Sequence, residues 1–308
     1  MSNDIPILEF TKNPQDDPAW TTMFGHLAHP NFSNPVFYRH NGSTVNLFNL
    51  YNGETVYLIG RGLSIEQALV DKKTRQLLFH PSIIKYGMNS APDVMDFNVN
   101  LWSCVDPASK FAPQILKNPN IVKLIPLNRF RPNATDPRQK DLEKTLAYTD
   151  GINKVYTSLC PNTFGVQTFL LSQDSAKHIS FGNAFLGCPA VLYGYFKGHK
   201  CVLLYAIKLA LLLGFRRIVL IGVDFKMDKA QPYFRNTSSD FNEFHVQHNN
   251  NLYEALAPMI QDICKILASK ESPYQCQIVT ASKIKLMPFI PTVDLKKTLE
   301  EEIALKSR

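Results

Sequence analysis

The sequence reads as an α/β chain: a doubly wound, mainly parallel sheet carrying an inserted lid. Three observations lead there. Apolar, β-branched runs alternate with helical stretches, giving strand, helix, strand, helix from Thr55 onward. The runs lack strict polar alternation, as in Ile218, Val219, Leu220 and Ile221, which suits strands buried on both faces. Glycines and polar residues cluster just after the runs, where open parallel sheets bind ligands.

Residues 1–50 are rich in Asn, Pro and aromatic residues. They read as an irregular arm, with a short helix around Trp20–Leu27 and Phe32, Phe37, Tyr38, Phe48 and Tyr51 packing it down. A first nucleotide-binding half follows over 51–126. Thr55–Ile59 is its opening strand, then Gly60-Arg61-Gly62-Leu63-Ser64, then a helix over Ile65–Val70 with Ser64 as its N-cap. A strand, a glycine turn and a helix start make a cradle whose outward N–H groups suit a phosphate. Gln76–Phe79 reads as a short strand, with Gly87-Met88-Asn89-Ser90 as a loop after it. Phe97–Val105 reads as another strand ending at Asp106, with a helix from Pro107 through Leu116 and a strand over Ile121–Pro126. Residues 127–196, punctuated by Pro132, Pro137 and Pro161, read as an insertion or lid with one or two helices.

The second half spans 197–308. Cys201–Leu213 is apolar apart from Lys208 and reads as a buried helix stopped by Gly214. The strand to Ile221 leads through Gly222 to Asp224. Phe225–Phe244 reads as a loop containing Tyr233. Leu252, Leu256, Ile260, Ile263 and Leu267 mark a helix over Asn249–Leu267, with Pro258 inside it. A last strand over Gln277–Thr280 and a helix from Asp294 close the chain.

The totals limit the function. The 308 residues include 45% hydrophobic types, enough for a large core. No run of 18 uncharged apolar residues exists, and the N-terminus lacks a basic segment followed by an apolar one. The six cysteines are spread without a CxxC pair, which reads as reduced, buried thiols and a cytoplasmic setting. The net charge of +7 suits a phosphate-bearing partner, a nucleotide or a nucleic acid. The densest basic stretch, Arg129–Lys144, reads as a solvated loop. The chain has no GxGxxG fingerprint, GKS/T loop, GxSxG elbow, HExxH or DxD motif, and no metal site is expected. His245 and His248 are the candidate acid/base groups, since imidazole titrates near neutrality. Tyr233 is a candidate donor to a departing phosphate.

Four pieces in order, YLIGRGLS, the Asn89-Ser90 pair, GHKCVLLYAIKLALLLGFRRIVLIGVDF and HVQHNNNLYEAL, resemble the bacterial family 42 sialyltransferases and the related motility-associated-factor glycosyltransferases. The resemblance covers about half of the chain. The family's first motif is GxGPS, so Leu63 stands in place of proline; Arg61 stands where asparagine is common. The resemblance implies a Rossmann-like, metal-independent transferase with a lid, using a nucleotide-sugar donor and no further cofactor. It implies that Gly60, Gly62 and Ser64, with Arg61 between them, hold the donor's phosphate and ribose. Asn89, Asp106 and Asp224 would line the cleft and Tyr233 would assist the leaving phosphate. His248 would be the base, with His245 as runner-up. The acceptor would be a glycan, a protein or a hydroxymethylated base in DNA, as in viral DNA modification, which a duplex would have to flip out. A related family with GxGxS and GxDF motifs transfers diphosphate to a pterin with ATP and magnesium; on that reading Asp106 and Asp224 are metal ligands. A nucleotide-binding protein without catalysis is the third reading.

Overall fold

The computed structural model describes residues 37–40, 43–126, 147–150, 153–171, 180–187, 191–195, 201–228, 233–234, 243–270, 272, 274–282, 284 and 286–307. The expected helix over Trp20–Leu27, the basic stretch 129–144 and Cys188 lie outside these residues.

The described strands are β1 (Phe37–Tyr38), β2 (Thr44–Val45), β3 (Thr55–Ile59), β4 (Ile84–Met88), β5 (Leu101–Ser103), β6 (Val122–Pro126), β7 (Ala147–Asp150), β8 (Asn153–Tyr156), β9 (Thr163–Val166), β10 (Thr168–Leu171), β11 (Val191–Tyr195), β12 (Arg217–Ile221) and β13 (Gln277–Thr280). Nine of them form one sheet in the order β13-β12-β3-β4-β5-β6-β9-β1-β2. Its described pairings are parallel except that β1 runs antiparallel to β9 and β2. The fold is α/β and Rossmann-like. The chain forms two compact units, residues 49–100 with 210–308, and residues 1–48 with 101–209.

The first unit holds β3, β4, β12 and β13. β3 and β12 are neighbours, yet the chain leaves β3 toward β4 and leaves β12 toward β13 on the other side. That reversal is a topological switch point, the place where open parallel sheets bind ligands beyond the carboxyl ends of their strands. α1 (Ile65–Val70) and α2 (Lys72–Leu78) connect β3 to β4, and α3 (Ala91–Val94) follows β4. The expected strand over Gln76–Phe79 is therefore a helix. Asp71 decides it, because its carboxylate accepts from the Thr74 amide at 2.8 Å and the Thr74 hydroxyl at 2.6 Å, capping α2. The short apolar run Leu77-Leu78-Phe79 carries no period of its own.

In the second unit, β5 covers only Leu101–Ser103; the expected strand does not begin at Phe97, which like Asp96 takes positive φ. The expected helix after Pro107 is a 3-10 turn over Ala108–Lys110 followed by α4 (Pro113–Lys117). The segment read as an insertion supplies β9 to the main sheet, an antiparallel β7/β8 pair, a parallel β10/β11 pair and the helix α5 (Phe181–Gly187). α6 (Val202–Leu212) carries Lys208, which is fully buried. Its ammonium donates to the carbonyls of Phe185 at 2.7 Å and Leu186 at 3.2 Å, serving the carbonyl end of α5. That explains the single charge in an otherwise apolar helix.

Gly214 ends α6 as expected, at φ 90°. The Phe215 amide returns to the Ala210 carbonyl and the Gly214 amide to Leu211, both at 3.1 Å, a Schellman closure. The next carbonyls are taken by the segment 49–53: Asn49, Tyr51 and Gly53 donate to Leu212, Leu213 and Gly214. α7 spans Glu243–Leu267, six residues earlier than the expected start, and tolerates Pro258. α8 (Leu295–Lys306) is capped by Asp294, whose carboxylate accepts from the Lys297 amide at 3.0 Å.

Lys85 and Lys123 are each the second residue of their strands, and both are buried. The Lys123 ammonium donates to the Asn118 carbonyl at 2.7 Å. Burial lowers both from an ordinary value of 10.5 to about 8. Between those values the unfolded chain holds more protons, so stability rises with pH from about 8 to 10.5; below 8 the cost of the buried charge is fully present. Lys85→Met is therefore expected to raise the melting temperature at pH 7 and flatten the rise above pH 8. Parallel melting curves of wild type and variant from pH 7 to 10.5 check it; a lower melting temperature at pH 7 would contradict it.

Among the described residues no helix is long and apolar enough to cross a membrane. The five described cysteines are all free, and Cys104, Cys160, Cys201 and Cys276 are buried.

Candidate functional site

The loops at the switch point are joined by backbone first. The Gly60 amide donates to the Ile221 carbonyl at 2.8 Å and the Gly62 amide to the Gly222 carbonyl at 2.7 Å. The ladder between β3 and β12 thus runs on into both loops. Only glycine allows this closeness. A Cβ on Gly60 would fall on the Gly222 carbonyl oxygen, and one on Gly62 would lie 2.5 Å from the Asp224 carboxylate. Gly222 has φ 64° and would bring its Cβ within 2.7 Å of the Gly60 oxygen.

This approach delivers Asp224 to the start of α1. Its Oδ2 accepts from the Ser64 amide at 2.9 Å, and its Oδ1 accepts from the Ser64 hydroxyl. Ser64 therefore does not cap α1 with its own side chain; it sits in helical backbone and spends its hydroxyl on Asp224. The anion at this helix start is the protein's own carboxylate. The outward cradle expected for a phosphate is replaced here by a tied carboxylate, and α1 has only six residues.

The positive counterpart is Arg61. Its Nη1 donates to Ser90 Oγ at 2.9 Å and its Nη2 to the Phe234 carbonyl at 3.3 Å. The guanidinium lies 5.8 Å from the centre of the Tyr233 ring, and the Phe234 amide donates to the Arg61 carbonyl at 2.9 Å. Burial lowers the Arg61 pKa, while Asp93 and Tyr233 act to raise it. Asp93 is itself raised by burial and pulled back by Arg61. Asn89 ends β4 at φ 50°, an uncommon conformation that turns the chain into Ser90 at the guanidinium. Phe225, after Asp224, holds φ 49° and packs edge-on against Tyr253 of α7. Asn250 of α7 then grips Met227 through both its amide (2.8 Å) and its carbonyl (3.1 Å).

Gly60, Arg61, Gly62, Ser64, Asn89, Tyr233 and Asp224 thus belong to one unit around the switch point. His245 and His248 both lie in the first turns of α7, ahead of the helix start expected at Asn249. His248 is exposed, and its ring stacks on Phe244 at 6.2 Å. The His245 side chain lies outside the described residues. Asp106 belongs to the other unit, after β5, in a half-exposed pair with Lys110 at 3.7 Å. Beside Ser64 opens a cleft of about 230 Å³, lined among others by Gln67, Thr74, Gly222, Ser282 and Lys296; neither Asp224 nor His248 lines it. Among the described residues no group of three His, Cys, Asp or Glu is close enough to hold a metal ion.

Sequence reasoning left Ser90, Asp93, Phe234 and Asn250 without a role. Ser90 was visible as half of an Asn-Ser pair. Asn250 stands in a run of three asparagines, and only the helical phase of α7 singles it out.

Chemically, Asp224 has fixed oxygens whose further lone pairs accept hydroxyl donors, and Arg61 offers a held, charged donor to phosphate oxygens. Compared with family models, with curated proteins and with solved structures, the chain matches none.

Proposed function

We propose that the chain is a glycosyltransferase that moves a sugar from a nucleotide-activated donor to an acceptor hydroxyl, without a metal and with His248 as the base. The observation that carries this reading is the presence of a tied carboxylate, Asp224, and a partly buried guanidinium, Arg61, on the loops that leave the two strands of the switch point. On this reading Asp224 accepts ribose hydroxyls. Arg61 takes the donor phosphates, with Tyr233 beside it for the leaving group. The net charge of +7 favours an acceptor rich in phosphate, so a hydroxymethylated base in DNA stands beside a glycan.

Purified protein incubated with a panel of nucleotide sugars and EDTA is expected to release free nucleotide, because transferases leak to water. Turnover that needs ATP and magnesium instead would replace the transferase with a diphosphotransferase. His248→Ala is expected to lower transfer by roughly 100-fold or more while nucleotide affinity changes less than about threefold. Unchanged transfer in that variant removes His248 from the chemistry.

A further inference from the structure

At the opposite, amino-terminal end of the same strands lies a second cleft, of about 240 Å³. One wall is a single rung of three parallel strands. Thr55 opens β3, Arg217 opens β12 and Gln277 opens β13, and the register pairs Arg217 with both of the others. Paired residues of parallel strands point to the same face, so a hydroxyl, a guanidinium and an amide stand side by side. The other wall is one face of α8, Thr298, Glu301, Glu302 and Leu305.

Two buried polar atoms of this rung lack partners among the described residues. Thr55 is 1% exposed, and its hydroxyl has no hydrogen-bond partner. Among the described residues Arg217 joins no ion pair, and its buried Nε has no acceptor. One rung higher on the same face, the fully buried Tyr57 hydroxyl is also without a partner. Such groups cost stability unless something meets them. The carboxylates opposite are engaged by their own helix, Glu301 with Lys297 at 3.9 Å and Glu302 with Lys306 at 3.5 Å, and neither reaches Arg217. Burial raises the Tyr57 hydroxyl above its ordinary range, with Glu302 adding to the rise and Arg217 opposing it.

We propose that this cleft binds a small zwitterion of the free amino-acid class, its carboxylate on Arg217 and Thr55 and its ammonium toward Glu301 and Glu302. The lining carries two guanidiniums, Arg216 and Arg217, and two carboxylates, so a simple anion or a simple cation would each meet like charge as well as unlike. The volume suits a molecule of a few heavy atoms. The site is independent of the nucleotide reading, since it lies at the other ends of the strands.

The test is a thermal-shift and calorimetric titration of the full chain with the free amino acids. Propionate, ethylamine and glycerol are the controls. At least one amino acid is expected to raise the melting temperature by about 3 °C or more at saturating concentration, with the controls inert. Thr55→Val and Arg217→Met are each expected to weaken that binding at least about tenfold. Thr55→Val keeps the shape and removes an unmet hydroxyl, so it is expected to fold at least as well as wild type even if Arg217→Met does not. No response to any amino acid, an equal response to a control, or an unchanged response in Thr55→Val would overturn the proposal.

Discussion

Gly60→Ala is expected to lower the unfolding free energy by about 3 kcal/mol, the upper end of the overpacking range. The added carbon would fall on the Gly222 carbonyl oxygen, and both partners are backbone held by the β3/β12 ladder. Neither side can swing away as a flexible side chain would. The same change at Gly53 is the control. Gly53 has φ 80° but nothing within 4 Å, so only conformational strain of about 1 kcal/mol is expected. Chemical denaturation of the two variants separates crowding from strain. Equal losses would mean that the two loops are not locked together. Gly60→Ala is also expected to remove the nucleotide response, because Gly62 and Asp224 move with that turn.

Asp224→Ala is expected to abolish transfer, by about 100-fold or more, and to cost about 1–3 kcal/mol of stability. The Ser64 amide and hydroxyl both lose their acceptor. Asp224→Asn separates the two roles. It keeps one acceptor oxygen for Ser64 and loses the charge, so a folded but inactive protein is expected. Ser64→Ala removes only the hydroxyl bond and leaves the amide bond intact, and a smaller loss of activity is expected. Full activity in Asp224→Asn would make the carboxylate a loop fastener with no part in the chemistry.

The fold was legible wherever local chemistry and burial agree. Cys201–Leu213, Gly214 and the β-branched run to Ile221 announce helix, stop and buried strand by themselves, and α6, the Schellman closure and β12 follow. The closing helix expected from Asp294 is present as α8, with Asp294 as its cap. What could not be read is non-local. The Ser64–Asp224 bond joins residues 160 apart, and Arg61 meets Phe234 across 173. From the sequence Ser64 is a good N-cap; only the fold shows that a carboxylate from another strand arrives first. Leu77-Leu78-Phe79 fits helix or strand equally, and Asp71 with Thr74 settles it from outside the run. Phe97 opens a stretch that looks extended, yet its positive φ keeps the strand from starting there.

The most direct measurement is calorimetric titration of wild type and Arg61→Ala with CMP, CDP, UDP and GDP in the presence of EDTA. At least one nucleotide is expected to bind wild type and to bind Arg61→Ala at least about tenfold more weakly, because a held guanidinium meets its phosphate. Binding of none of them, or equal binding by the two proteins, would contradict a nucleotide site between Arg61 and Asp224.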